Sequence, residues 1–323
     1  MHGRASLAQM GAFMMALRTK RETVQELTGL VDVMLDNAVK LETGSDALDI
    51  VGTGGDLVGT VNISSMASIV AAAAGVPVLK HGSRSASGKT GSSEMLEELG
   101  IRLDLSPSQV AQVFAKEGIT FFFAPVFHPA MRHVAPARKE LGVPTTFNFL
   151  GPLANPAQPI ATALGVADAE IAPLMAAELA TRGRTAIVFR SNDGLDELST
   201  TSDNAIWQVS KGAIETFTFD AREIGIERVS VDALLGGDAR HNAQIAKKLF
   251  SGEEFQNSKA ISDIVCLNAA VGITAYDLAK DSRQSETEIN QRLSVAFAKA
   301  QTALTSGAAL AKTKHWSFLT QTI

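Results

Sequence analysis

Along residues 7 to 40, apolar positions recur at three- and four-residue spacing in "MGAFMMALR" and "VQELTGLVDVMLDNAV", which predicts helices with a break at Gly29. From residue 48 the pattern changes. Short β-branched runs ("LDIV", "VPVL", "ITFFFA", "TAIVF", "DIVCLNAA") alternate with helical stretches such as "SSMASIVAAAA" and "SSEMLEELG". That alternation predicts βαβ units and a mostly parallel sheet. Residues 204 to 219 read as a hairpin turning at Lys211-Gly212, and residues 285 to 313 as a closing helical tail. The segment "HPAMRHVAPARKELGVPTTFNFLGPLANP" carries five prolines; Pro129 and Pro136 suit the first turns of short helices, and Gly142 suits a C-terminal cap. The expected architecture is α/β. A small all-helical domain spans residues 1–45, with a returning segment at about 128–148, and a larger α/β domain spans 46–127 and 149–323.

With 323 residues the chain can bury a substantial core. A formal net charge of −5 and the lack of a dense Lys/Arg run argue against nucleic acid as the main partner. The run "IVAAAAGVPVL" is too short and glycine-broken to span a bilayer, and the N-terminus has no signal-peptide cleavage pattern, so no membrane role and a cytoplasmic location are expected. Cys266 is the only cysteine, which excludes an intramolecular disulfide framework and a cysteine-rich metal site; within "DIVCLNAA" it reads as a small buried residue on a strand.

Chemistry gathers in loops after strands. "DIVGTGGDLVGTVNISS" places Gly52, Gly54 and Gly55 after an apolar strand, then Asp56, Asn62, Ser64 and Ser65 before a helix. Leu57 stands where a dinucleotide fingerprint needs its last glycine. "GSRSASGKT" misses the P-loop by one residue, since five residues rather than four separate Gly82 from Gly88. Both stretches nevertheless run strand, glycine-hydroxyl loop, helix, and loop amides at a helix N-terminus attract anions. The second supplies Lys80, His81, Ser83, Arg84, Ser87 and Lys89. Ligands bind outside the carboxyl ends of parallel strands, so the two loops predict one crevice for a ligand with two phosphate groups. In "SNDGLDELST", Asp196 and Glu197 suit Mg²⁺ shared with substrate phosphates, although a solvated turn explains the acids taken alone. Arg138 reads as first-turn in the helix begun at Pro136, where a cation opposes the helix dipole and looks aimed at an anion; surface solvation is the alternative. His128 and His133 read as core or cap residues without assigned chemistry.

"GTGGD…NIS", the segment from Lys80 through "LEELG", "HPAM…RKELGVPTTFNFLGPLANP" and "DGLDE" together resemble the anthranilate phosphoribosyltransferase family of tryptophan biosynthesis. The resemblance runs from about Leu7 to the C-terminus. It implies a helical domain on an α/β domain, homodimers, and transfer of the phosphoribosyl group of phosphoribosyl pyrophosphate to anthranilate with Mg²⁺. It assigns Gly52, Gly54, Gly55, Asp56, Thr60, Asn62, Ser64, Ser65, Lys80 and Ser87 to phosphoribosyl pyrophosphate, and Ser64, Asp196 and Glu197 to the metal. Gly52, His81, Ser83, Arg138 and Pro152 match the anthranilate site, with His81 a candidate acceptor of the amine's proton. Three positions depart from the family pattern. Ser83 replaces an asparagine, Leu57 a glycine and Ser65 a threonine. The chain begins near the family's usual third helix, which implies a weaker dimer.

Two other readings share the scaffold. A pyrimidine nucleoside phosphorylase does not need the adjacent acids of "DGLDE". A nucleic-acid-binding relative predicts an extended basic face and eroded metal acids, whereas Asp196 and Glu197 are present and the chain is acidic.

Overall fold

The computed structural model describes residues 3–41, 43–84 and 90–323. Helix α1 (Leu7–Lys20) opens with a capping box in which Ser6 and Gln9 satisfy each other's backbone amides. A second box, Thr23 with Glu26, starts α2 (Val24–Asp36). The break between the helices therefore falls at Arg21–Thr23, with Arg21 at φ 72°, and not at Gly29. Gly29 lies inside α2 and is exposed; a mid-helix glycine costs only about 1 kcal/mol, less than a well-capped start contributes together with packing.

The α/β part runs β1 (Leu48–Gly52), α3 (Ile63–Ala73), β2 (Val78–Gly82), α4 (Ser92–Glu98), α5 (Pro107–Glu117), β3 (Ile119–Phe123) and the one-turn α6 (Ala124–Phe127). A 3₁₀ turn, Pro129–His133, and α7 (Ala135–Leu141) follow, and Gly142 closes α7 in the left-handed region. This segment leaves the sheet and packs on α1, where Met14, Val134 and Ala137 form a small core of their own. Strand β4 (Ala161–Gly165), which carried no sequence signal, returns the chain to the sheet, followed by α8 (Ile171–Thr181) and β5 (Thr185–Ser191). The hairpin β6 (Asn204–Ser210) and β7 (Ala213–Phe219) turns at Lys211-Gly212, both with positive φ as a two-residue hairpin turn requires. Helices α9 (Ala239–Ser251), α10 (Ser258–Lys280), α11 (Ile289–Thr305) and α12 (Ala308–Thr322) complete the chain.

The seven strands stand in the order β3-β2-β1-β4-β5-β6-β7; β1 to β5 are parallel, and the hairpin extends them antiparallel. The sequence expectation of a strand at "DIVCLNAA" is corrected: Cys266 lies mid-way along α10, a 23-residue helix buried against α3 and the sheet. Buried on nearly all sides, such a helix loses the polar stripe that would reveal its period and reads locally as a β-branched run. By length and apolarity α10 matches a membrane span, but here it is the core helix. Gly272 lets it approach β1, since a Cβ there would lie 2.7 Å from Ile50 Cδ1.

Candidate functional site

The strand order reverses direction between β1 and β4: the chain leaves β1 toward β2 on one side and β4 toward β5 on the other. Such a switch point opens a crevice at the carboxyl ends of the strands. Gly52 and Gly165 end the two strands and pair in register. A Cβ at Gly52 would land in the Asp196 carboxylate, and one at Gly165 in the Asp196 carbonyl. The two glycines therefore make the space in which the loop after β5 lays Asp196 across the switch point. Asp196 Oδ2 accepts the Gly54 amide at 2.6 Å.

Asp196 and Glu197 are not solvent-facing turn residues; each is only 9 % exposed. Burial, reinforced by the neighbouring charge of Asp56, pushes Asp196 up to about 7. Burial and the Asp196 charge hold Glu197 well above the usual carboxylate range, with Lys80 and the Ser64 amide pulling the other way. Asp56, raised by burial, turns its Oδ1 to the Val58 amide at 3.1 Å. Among the described residues no three acidic, imidazole or thiol groups form a self-sufficient metal site. Crowded oxygens lacking sufficient countercharge suit a hard divalent ion that keeps waters and shares itself with phosphates.

Gly54, Gly55 and Gly59 all take positive φ and face open space, leaving their backbone accessible to a ligand. Leu57 shares that left-handed conformation at φ 58° with its side chain 74 % exposed. Thr60 bridges to Leu235. Asn62 precedes α3 without a side-chain cap, and its amide is engaged by Asn242 and Gly91. Ser65 is not an N-cap either: it lies inside α3, fully buried, its hydroxyl without a partner among the described residues. Lys80 is a strand residue and not a loop cation. Buried under the crevice, its Nζ donates to Ile50 O at 2.6 Å and to Ser64 Oγ at 3.5 Å, and burial lowers its pKa against the pull of Asp49, Glu197 and Asp196.

His81 sits at the end of β2, where its Nδ1 lies 3.1 Å from Gly151 O, on the turn that carries Pro152. Assigned as the donor there, Nδ1 leaves Nε2 as a buried nitrogen without a partner among the described residues. Burial, with the neighbouring His128, drives His81 down to about 3, so the ring is neutral. His128, which carried no assigned chemistry, meets it edge-on with centroids 5.1 Å apart and is lowered to about 4 by burial. Asp49 braces this corner from β1, accepting the His81 amide at 3.1 Å and Asn155 Nδ2 at 2.8 Å. Burial pushes Asp49 up to about 6 against the opposing pull of Lys80.

Ser83 is exposed at the start of loop two; Arg84 is engaged by Glu97 at 2.9 Å and so is not a free ligand cation. Ser87 and Lys89 lie outside the described residues. Arg138 is the fourth residue of the seven-residue α7, so the first-turn dipole argument does not apply. It is half-buried nonetheless, burial lowers its pKa, and no hydrogen bond or ion pair among the described residues engages its guanidinium.

A family model described as glycosyl transferase family, a/b domain, matches residues 44–310, and one described as glycosyl transferase family, helical bundle domain, matches residues 1–38. Anthranilate phosphoribosyltransferases of Leifsonia xyli subsp. xyli and Clavibacter michiganensis subsp. michiganensis are 50 % and 46 % identical to this chain. The matches cover 98 % and 99 % of this chain and 89 % and 91 % of theirs. The chain belongs to the anthranilate phosphoribosyltransferase family. Among solved members, the enzyme of Thermus thermophilus superposes with a TM-score of 0.88 at 37 % identity, over 99 % of this chain and 92 % of its own. That of Saccharomyces cerevisiae in complex with PRPP and Mg gives 0.87 at 27 % identity, over 98 % and 86 %. The yeast enzyme in complex with 4-fluoroanthranilate gives 0.85 at 26 % identity, again over 98 % and 86 %. Sequence reading of this member of the anthranilate phosphoribosyltransferase family missed Asp49, Asn155 and Asn242. Asp49 is a single polar letter in an apolar strand, where a lone polar residue needs a partner, whereas Asn242 lies among Arg240, His241 and Gln244 and carries no local signal.

Proposed function

We propose that the chain transfers the phosphoribosyl group of phosphoribosyl pyrophosphate to the amine of anthranilate, giving N-(5-phosphoribosyl)anthranilate and pyrophosphate in tryptophan biosynthesis. The observation that carries this reading is the buried, undercompensated carboxylate group at the switch point, set beside the open backbone of Gly54 and Gly55. Asp196, Glu197 and Ser64 would hold Mg²⁺, which when bound would neutralise the pyrophosphate as its charge grows. The residues fit that role, because both carboxyl groups are buried and crowded by each other and by Asp56, which holds them above the usual carboxylate range.

The arylamine is neutral and nucleophilic at cellular pH, so the barrier lies in breaking the bond from C1 to the pyrophosphate oxygen. Amides of the glycine loop, fixed before the reaction, stabilise the departing charge without reorganising; donors of that kind are worth about 3 kcal/mol each in other enzymes. Gly52, Asp56, Thr60, Asn62, Ser65, Lys80 and Ser87 complete the donor side of this reading. On the acceptor side stand Gly52, Ser83 and Pro152, with Arg138 meeting the carboxylate. His81 presents an unpartnered Nε2 to which the amine can donate. A ring driven down to about 3 is a weak base, so His81 orients the amine and takes its proton only once C1 has bonded.

The reading carries with it a cytoplasmic homodimer, for which exposed Leu7, Phe13 and Val33 on the first two helices supply apolar surface. Loss of anthranilate fluorescence in the presence of phosphoribosyl pyrophosphate and Mg²⁺ tests the transfer. Turnover that survives a chelator would remove the metal, and no turnover with both substrates would remove the reaction. Light scattering across a dilution series tests the dimer.

A further inference from the structure

A third segment, outside every motif above, holds the two phosphate loops together. After the hairpin the chain returns to loop one: Val61 N donates to Leu234 O and Gly236 N to Gly59 O, both at 3.0 Å. A Cβ on Gly236 would lie 2.5 Å from Asn242 Oδ1 and 2.9 Å from Val61 N, so this crossing requires glycine. Asn242, in the first turn of α9 and 1 % exposed, accepts the Gly237 amide on Oδ1 and donates from Nδ2 to Asn62 Oδ1, both at 2.8 Å. Asn62 Nδ2 donates onward to Gly91 O at 3.2 Å, and Thr90 Oγ1 donates to Gly237 O at 3.0 Å. The bonds close a ring through Asn242, Asn62, the 90–91 pair and Gly237, and the ring ties together the starts of α3, α4 and α9.

We propose that Asn242 is a positioning residue for the donor site: the ring fixes the separation of loop one from loop two, so that both bear on one pyrophosphate-bearing ligand. The inference rests on the transfer reading above. A carboxamide offers an acceptor at one end and a donor at the other, as the Gly237 amide and Asn62 Oδ1 require. Asn62, with both ends of its amide engaged by protein, is held in place at the start of α3. In this partly buried ring each missing member leaves its neighbour less well satisfied, so the loops would separate as a unit.

The test compares wild type, Asn242→Ala, Thr90→Val and the double variant for the two Michaelis constants, the unfolding midpoint, and calorimetric binding of pyrophosphate with Mg²⁺. In both single variants the constant for phosphoribosyl pyrophosphate rises, by about tenfold in Asn242→Ala, as losing one hydrogen bond's worth of binding predicts, while that for anthranilate stays within about twofold. The double variant falls short of the product of the two single effects, because both break one ring. Equal rises for both substrates, fully multiplicative effects, or unchanged pyrophosphate binding would overturn the proposal. An inactive wild-type chain would sink the transfer reading, and pyrophosphate binding by the four proteins would still decide the ring. Thr90→Val, which removes one hydroxyl from a partly exposed residue, keeps the test open if Asn242→Ala does not fold.

Discussion

Asp196 and Glu197 carry opposite consequences for stability and for turnover. Both ionise less readily than in water because they are buried beside each other, so removing their charges removes a repulsion. The pair Asp196→Asn with Glu197→Gln is expected to unfold, in metal-free buffer at neutral pH, no earlier than wild type. The same pair should lose about a hundredfold or more of magnesium-dependent turnover, as when preorganised charge stabilisation is removed. Thermal unfolding with and without Mg²⁺ checks both. Wild type alone should be stabilised by the ion, and a variant that still responds to it would return these acids to a structural role. Arg138 makes a separate residue-scale case. If its unpaired guanidinium binds the anthranilate carboxylate, Arg138→Ala raises the anthranilate constant by about ten- to a hundredfold, the size of a charge-assisted hydrogen bond, and spares the other substrate. Steady-state kinetics that show equal effects would remove the assignment.

At the scale of elements, the glycine loops were legible and the core helix was not, for one physical reason. Gly54 and Gly55 take positive φ, a local backbone need that a short window contains, whereas Gly52 is bare for the Asp196 carboxylate. The burial of α10 on nearly all sides, the unannounced β4, and the Asn242 ring are set by partners far along the chain, which a window cannot contain. Even within the loop, the letters that named Asp196 gave no hint that Gly165, on a strand with no sequence signal, must be bare to admit it. Gly165→Ala is expected to displace the Asp196 backbone and with it the Gly54 contact, abolishing turnover at a cost of several kcal/mol of the kind seen for overpacking. Wild-type activity in that variant would show that the strand ends move apart readily. Leu57→Gly should act in the other direction, because a left-handed non-glycine backbone costs about 1–2 kcal/mol that glycine does not incur. Its greater freedom when unfolded takes back part of that gain, so a small rise in the unfolding midpoint is expected, and a clear fall would show that the exposed side chain packs on something.

For the whole molecule, the α/β class and the mostly parallel sheet follow from the alternating pattern, while the pH response depends on burial that the pattern does not show. His81 and His128 protonate near pH 6.5 when unfolded, but only near 3 and 4 when folded. Their contribution to stability is therefore complete above pH 6.5 and falls as the pH drops toward 4, by up to about 1.4 kcal/mol per pH unit for each ring. Asp49, raised to about 6, works in the opposite sense, so the effect is read as a difference. The slope of stability against pH between 6 and 4.5 should be shallower in His128→Gln than in wild type, and identical slopes would show that the ring is already charged in the native state.

The helical part is assembled from two stretches that are far apart along the chain: α1 finds its cover on α7, which begins about a hundred residues after α2 ends. A ribosome adding about 5–20 residues each second needs roughly 5–20 s to make that interval. Throughout it Met14 and Leu17 have emerged from synthesis while Val134 and Ala137 do not yet exist. Helix α1 thus waits about a hundred residues for its cover, and until then the nascent chain must be kept from sticking to its neighbours by something other than its own fold.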